Sequence, residues 1–237
     1  NDALILKSRH KPYRVKELFY SLQGEGAWAG RPAIFCRFSK CNLWNGREED
    51  RLTSVCQFCD TDIQGTDGQN GGVFSTPEAL VAVIRDLWKG DWPTESINNG
   101  FGSQKPYVIA TGGEPLLQLD ERLIIALHLA GFEVGVETNG TLPAPRGIDW
   151  LCVSPKADAE VVLQQCDELK LVYPQEQASA RPERFERIKA SHYFLSPMAD
   201  PKKAQLHQKN TQAAVQYCLD HPQWRLTLQT HKLLGID

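Results

Sequence analysis

The chain has 237 residues, 41% hydrophobic and 23% charged, an ordinary globular composition that excludes a disordered polypeptide. Its 26 Lys and Arg against 29 Asp and Glu leave a net charge of −3. That balance excludes the broad basic field that non-specific nucleic-acid binding needs, so no nucleic-acid partner is expected. No apolar run approaches the roughly 18 residues of a membrane span, and the apolar run near the start, residues 3–6, is too short for a signal sequence. The expectation is a cytoplasmic protein with no membrane partner.

Taken in chain order, residues 1–12 are polar and read as a loose leader, followed by a single domain over 13–237. Short runs rich in β-branched and aromatic residues predict strands at 33–38, 107–110, 133–137, 151–153, 169–172, 193–195 and 226–229. Apolar residues at helical spacing predict a helix over 77–89, capped by Thr76 with Pro77 at its first position. A second helix is predicted over 120–130 with Gly131 as its stop, and weaker patterns cover 182–189 and 211–219. Alternating strands and helices predict an α/β fold with a parallel sheet. The segments 139–150 and 154–167 carry Pro143, Pro145 and Pro155, which spoil a helix, so some crossovers have none. The pattern is that of an incomplete, helix-poor parallel (β/α) barrel. Two long polar loops, 42–70 and 90–105, exceed ordinary connections and point to function or disorder.

Seven cysteines cannot all pair internally, and their spacing suits free or metal-bound thiols in a reducing compartment. Cys41, Cys56 and Cys59 crowd the first long loop, directly after the first strand, and can converge on one centre. Cys36 alternates with Phe35 and Arg37 inside that strand and reads as a structural thiol, as do the scattered Cys152, Cys166 and Cys218. On spacing alone two readings stand level. One is zinc completed by a distant histidine; the other is an iron–sulfur cluster with one iron left open.

Three further motifs sit at strand ends, where sites are built in α/β sheets. Thr111-Gly-Gly-Glu-Pro115 has two glycines that admit close backbone approach and a carboxylate, Glu114, suited to accepting bonds from an ammonium group. Glu137-Thr-Asn-Gly140 and Ser154-Pro-Lys156 follow on the next strands. Each alone reads as a turn. Together they place polar groups at the same end of successive strands, above one cysteine-rich loop.

These residues resemble the radical S-adenosylmethionine (SAM) superfamily, with Phe58 in Cys56-Gln-Phe-Cys59 at the usual aromatic position before the last cysteine. The superfamily spaces its first two cysteines by three residues; here fourteen intervene, so 45–55 reads as an insertion. Within the superfamily the chain is similar to the 7-carboxy-7-deazaguanine synthases of the expanded-loop branch. Ser21-Leu-Gln-Gly-Glu-Gly26, Val153-Ser-Pro-Lys156 and Trp224-Arg-Leu-Thr-Leu-Gln-Thr-His-Lys232 extend the match from Val15 almost to the last residue.

The resemblance implies a radical SAM barrel and a lyase of queuosine, hence 7-deazapurine, biosynthesis. An electron passed from a 4Fe-4S cluster to S-adenosylmethionine would release a radical that abstracts hydrogen from 6-carboxy-5,6,7,8-tetrahydropterin. Ring contraction and loss of ammonia would give 7-carboxy-7-deazaguanine. It further implies magnesium, a homodimer, and a reductant such as a flavodoxin or ferredoxin.

Residue by residue, the resemblance assigns the cluster to Cys41, Cys56 and Cys59 and magnesium to Thr61, a hard oxygen ligand. It assigns the pterin to Leu22, Gln23, Gly24, Arg37, Thr111 and the carboxylate of Asp237, with Glu25 and His231 close by. S-adenosylmethionine falls to Gly113, Ser154, Pro155, Lys156, Ser196, Pro197, Met198 and Ala199, with Glu114 near. Relatives often carry Gln at the position of Ser196 and end in Pro or Ala rather than Asp, so those two contacts differ here. Two other readings remain at this stage: a radical enzyme that activates a partner protein, and a zinc-held binding module that metal analysis would separate.

Overall fold

The alternating strand and helix patterns fold into one mixed sheet in the computed structural model, which describes residues 11–93, 105–177, 179–199 and 204–237. The sheet runs in the order β3 (Gly72–Phe74), β1 (Tyr13–Leu22), β2 (Pro32–Phe38), β4 (Tyr107–Gly112), β5 (Glu133–Thr138), β6 (Trp150–Val153), β7 (Gln165–Tyr173), β8 (Lys189–Pro197) and β9 (Trp224–Leu226). From β2 to β9 all neighbours are parallel; β1 is antiparallel to both β2 and β3. The two edges, β3 and β9, do not pair, so the sheet is open. This is the expected incomplete barrel, with an antiparallel pair added at one end.

Side-chain alternation divides the sheet into two faces. On β2, Ile34, Cys36 and Phe38 join the apolar core on the outer face, while Phe35 and Arg37 point to the inner face. On β5, Val134 and Val136 are outward and Glu137 inward; on β7, Leu169 and Leu171 are outward and Lys170 and Val172 inward. Two helices, α1 (Pro77–Leu87) and α2 (Glu121–Leu129), cover the first half through Leu80, Ile84, Leu123 and Leu127. The second half is covered by α3 (Pro182–Phe185) and α4 (Ala204–Asp220), which pack Phe185 and Ala214 near Leu171, Leu195 and Trp224.

The helix starts follow their caps. Thr76 Oγ1 accepts from Ala79 N at 3.2 Å, with Pro77 in the first turn. Asp120 Oδ1 accepts from Leu123 N at 3.0 Å and from the Tyr13 hydroxyl at 2.7 Å, tying α2 to β1. Gly131 stops α2 with φ +91°, a conformation that favours glycine. No helix bridges β5 to β6 or β6 to β7, as the prolines predict.

Several boundaries differ from the sequence reading. The final strand occupies 224–226 rather than 226–229: Thr227 N makes the last bond to β8, to Leu195 O at 2.9 Å, and the Thr227 hydroxyl accepts from Gly26 N at 2.8 Å. The weak pattern at 211–219 extends into α4, whereas 182–189 shrinks to α3, since β8 begins at Lys189. Strands β1 and β3 and the short α5 (Thr230–Leu234) were not anticipated. Nearly all of the expected leader, and residues 94–104 of the second long loop, lie outside the described residues. Among the described residues no helix is long and apolar enough to cross a membrane.

Candidate active site

The inner face of the sheet and the carboxyl ends of its parallel strands enclose a cavity of about 510 Å³. Its rim is the cysteine loop. β2 ends at Phe38, and Lys40 turns the chain with φ +75° into Cys41. The Lys40 carbonyl accepts from Glu114 N at 2.9 Å, docking the loop on the turn after β4. Gly113 makes this approach possible: a Cβ there would lie 1.8 Å from Lys40 O. Asn139 extends the brace, donating to Asn42 Oδ1 at 3.0 Å and accepting from the Thr141 hydroxyl at 2.7 Å.

Cys41, Cys56 and Cys59 all line the cavity, and all seven cysteines are free. Burial pushes the thiols of Cys41 and Cys56 above their ordinary range, so their thiolates need a cationic partner. Three free soft donors on one cavity wall fit an iron–sulfur cluster in donor chemistry. Among the described residues no three His, Cys, Asp or Glu side chains close around a point that a single metal ion would fill. Cys36, Cys152 and Cys166 are buried, and Cys218 is partly so.

The cavity floor is built differently. The segment 23–27, after β1, crosses the inner face and is held by side chains from four other parts of the sheet. Gln23 Nε2 donates to Glu137 Oε1 at 3.0 Å. Glu25 pairs with Lys170 Nζ at 3.0 Å and accepts from the Ser196 hydroxyl at 2.8 Å. Gly26 N and Ala27 N bond the Thr227 hydroxyl and Glu168 Oε2, each at 2.8 Å. Lys170 also reaches Glu137 at 3.4 Å, and its side chain is only 8% exposed. Burial opposes the charge on Lys170, but Glu137 and Glu25 outweigh it and hold its pKa well above the ordinary value. Burial likewise opposes ionisation of Glu137, and the attraction of Lys170, backed by Gln23, holds its carboxyl below the usual range.

The expected pterin contacts gather here. Leu22, Gln23, Gly24, Arg37, Thr111 and Asp237 all line the cavity. Arg37 is already engaged, donating to Glu17 at 2.7 Å and to Gly112 O at 3.0 Å, while still facing the cavity. His231 packs so tightly on the floor that a Cβ at Gly24 would lie 2.0 Å from its Nδ1. Burial lowers the His231 pKa against the pull of Glu25, favouring neutral imidazole. The Asp237 main-chain oxygen accepts from the Ser21 hydroxyl at 2.7 Å.

Thr61, Gly113, Ser154, Lys156 and the stretch 196–199 also reach the cavity wall. Pro155 does not; it is buried beside Ser154. Glu114 corrects the sequence reading as well. It is 0% exposed and accepts from the Thr138 hydroxyl at 2.6 Å, Asn139 N at 2.8 Å and Leu116 N at 3.0 Å. Its carboxylate braces the turn rather than offering itself to an ammonium group, and burial raises its pKa. Lys170, Glu17 and the rim pair Lys232–Asp60, at 2.7 Å, were not singled out from sequence. The alternation of Leu169 and Leu171 around Lys170 was the signal that it shares the inner face.

An open β/α sheet with three free thiols at the rim of its cavity is the arrangement that the resemblance to radical SAM enzymes implies. Among solved structures the chain matches the crystal structure of QueE from Escherichia coli, with TM-score 0.62 and 26% identity, covering 93% of this chain and 95% of that one. It is 57% identical to the 7-carboxy-7-deazaguanine synthase of Bordetella pertussis, 55% to that of Caulobacter vibrioides and 51% to that of Burkholderia multivorans. Each alignment spans 224 residues, 94% of this chain and 99% of the relative. No family model matches the chain. The chain belongs to the 7-carboxy-7-deazaguanine synthase family, which displaces the zinc-held module and the protein-activating enzyme.

Proposed function

We propose that this cavity converts 6-carboxy-5,6,7,8-tetrahydropterin to 7-carboxy-7-deazaguanine with loss of ammonia, a lyase step in queuosine biosynthesis. The observation that supports it best is the joining of two chemistries in one cavity: soft thiols at the rim and ion-paired carboxylates on the floor.

Cys41, Cys56 and Cys59 hold a 4Fe-4S cluster, and Gly113, Ser154, Lys156 and 196–199 hold S-adenosylmethionine. Bound together, these cofactors supply the hydrogen-abstracting radical. The protein's own residues bind and orient the pterin. Glu25 and Glu137, both paired with Lys170, accept from ring N–H donors, and Gln23 and Gly24 set the floor height. Arg37, a planar donor between Glu17 and Gly112 O, meets the substrate carboxylate. His231 and Asp237 close the far side and exclude water. Thr61 would offer its hydroxyl, a hard oxygen donor, to magnesium. The enzyme works as a homodimer and takes its electron from a reductant such as a flavodoxin or ferredoxin, in the cytoplasm.

Anaerobically reconstituted protein tests this directly. With S-adenosylmethionine, reductant and magnesium present, the carboxytetrahydropterin yields the deazaguanine acid and ammonia, and omitting magnesium slows turnover. Absence of product under those conditions sinks the reading. Changing Cys41, Cys56 or Cys59 to Ala removes both bound iron and turnover; a fully active variant refutes that residue's ligand role.

A further inference from the structure

The insertion between Cys41 and Cys56 raises a physical problem. Residues 56–60 form no regular element, yet Cys56 and Cys59 must present their sulfurs together. One main-chain bond, Cys56 N to Leu43 O at 3.2 Å, returns the chain to the rim. Beyond that, Gln57 Nε2 donates to Leu52 O at 3.0 Å and Asp60 pairs with Lys232 at 2.7 Å, while one side chain from the insertion itself, Arg51, spans the two cysteines.

Arg51 sits in the short 3₁₀ turn Glu48–Thr53. Its Nη1 donates to Gln57 O at 3.0 Å and to Cys59 O at 2.9 Å, so one nitrogen spans the Cys-x-x-Cys turn. Its Nε and Nη2 grip the Glu48 carboxylate at 2.7–2.9 Å. Its guanidinium lies over the Trp44 ring at 4.3 Å. Trp44 is buried, lines the cavity, and donates Nε1 to Arg47 O at 3.1 Å. The plane is thus fixed from three sides: ring below, carboxylate at one edge, two carbonyls at the other. Only a rigid fork of donors does all three at once; an ammonium neither stacks flat nor forks.

We infer that Arg51 is a positioning residue of the cluster site, setting the spacing of Cys56 and Cys59 by clamping the carbonyls of Gln57 and Cys59 against Trp44. The inference rests on the reading that these cysteines hold the cluster. The eleven-residue insertion then supplies its own organiser: the chain that separates Cys41 from Cys56 also carries the group that shapes the turn.

The test uses the full chain, as the parent, R51K and R51Q, with two readouts besides turnover. In cluster-free protein, amide hydrogen exchange over 56–61 rises about tenfold in both variants, the scale expected when a charge-assisted bond is lost. Exchange in β2 and β4 stays at the parent rate. In reconstituted protein, iron is lost to a chelator about tenfold faster. A parent that takes up no iron overturns the cluster assignment and the inference with it. A parent that takes up iron, with R51K matching it in both measurements, overturns the inference alone. Exchange that rises equally in β2 and β4 also overturns it, since Arg51 then serves general stability.

Discussion

The rim and the floor of the cavity are built on opposite plans. At the rim, loops dock through main-chain groups: Lys40 O takes Glu114 N, Gly113 lets the two backbones touch, and the thiols stay out of disulfides, with Leu43 N donating to Cys41 Sγ at 3.4 Å. On the floor, side chains satisfy one another: Lys170 joins Glu25 and Glu137, and Gln23 and Ser196 complete the shell. The rim stays chemically open for a cofactor. The floor is electrostatically complete before any ligand arrives, so it can orient a substrate without reorganising. Preorganisation of this kind is where enzymes gain most from electrostatics.

The largest expected effect lies on the floor. Lys170→Met leaves two buried carboxylates facing each other without a cation. Breaking a buried pair from one side costs about 3–5 kcal/mol, measurable by denaturant unfolding. Adding Glu137→Gln recovers part of the loss. A cost below about 1 kcal/mol shows instead that water already screens these charges.

Next comes the rim. Gly113→Ala drives a Cβ to within 1.8 Å of Lys40 O, which must move. A loss of about 1–3 kcal/mol is expected, with faster amide exchange at Cys41. An unperturbed Cys41 amide shows that the docking is looser than the contact implies.

The two carboxylates most central to each region titrate with opposite sign. Glu137 is held below its ordinary 4.5, so it stabilises the fold above that pH and the benefit is lost as pH falls through its depressed value. Glu114 is raised above 4.5 by burial, so between 4.5 and its own pKa the folded chain binds the extra proton and stability falls as pH rises. In stability–pH curves, Glu137→Gln therefore flattens the acid limb below 4.5. Glu114→Gln flattens the decline above it, and equal curves for the two variants erase the distinction.

The smallest effect belongs to the exposed rim pair Lys232–Asp60, with side chains 47% and 59% exposed. Lys232→Gln changes stability by no more than about 1 kcal/mol, and added salt shrinks the difference. A larger, salt-resistant loss means that this contact closes the cavity.

The same division explains what the sequence made legible. Rim residues announce themselves because cofactor chemistry demands rare residue types at fixed spacing: three cysteines, paired glycines after a strand. Cys36 and Arg37 were separable for a related reason, since alternation along β2 sends adjacent residues to opposite faces. Floor residues lack such signals. Lys170 looks like a solvent-facing position in a strand until the neighbouring strands put Glu25 and Glu137 beside it. Glu114 misled in the opposite direction, because a motif carboxylate at a strand end reads as a ligand when Thr138 and Asn139, at the end of the next strand, already occupy it. Strand β1 was missed because Lys16 and Glu17 interrupt its pattern. Lys16 is nonetheless buried against Asp62 and Asp67, at 2.7 and 2.8 Å.

The floor segment also has a kinetic consequence. Ala27 bonds Glu168 across 141 residues of chain, and Gly26 bonds Thr227 across 201. Contacts that close such long loops are costly in entropy until the intervening strands are in place. The rim contact between Lys40 and Glu114 needs only the strands up to β4. During refolding the thiol-bearing rim therefore gains protection first, and the substrate floor is sealed only when β7 and β9 have joined the sheet.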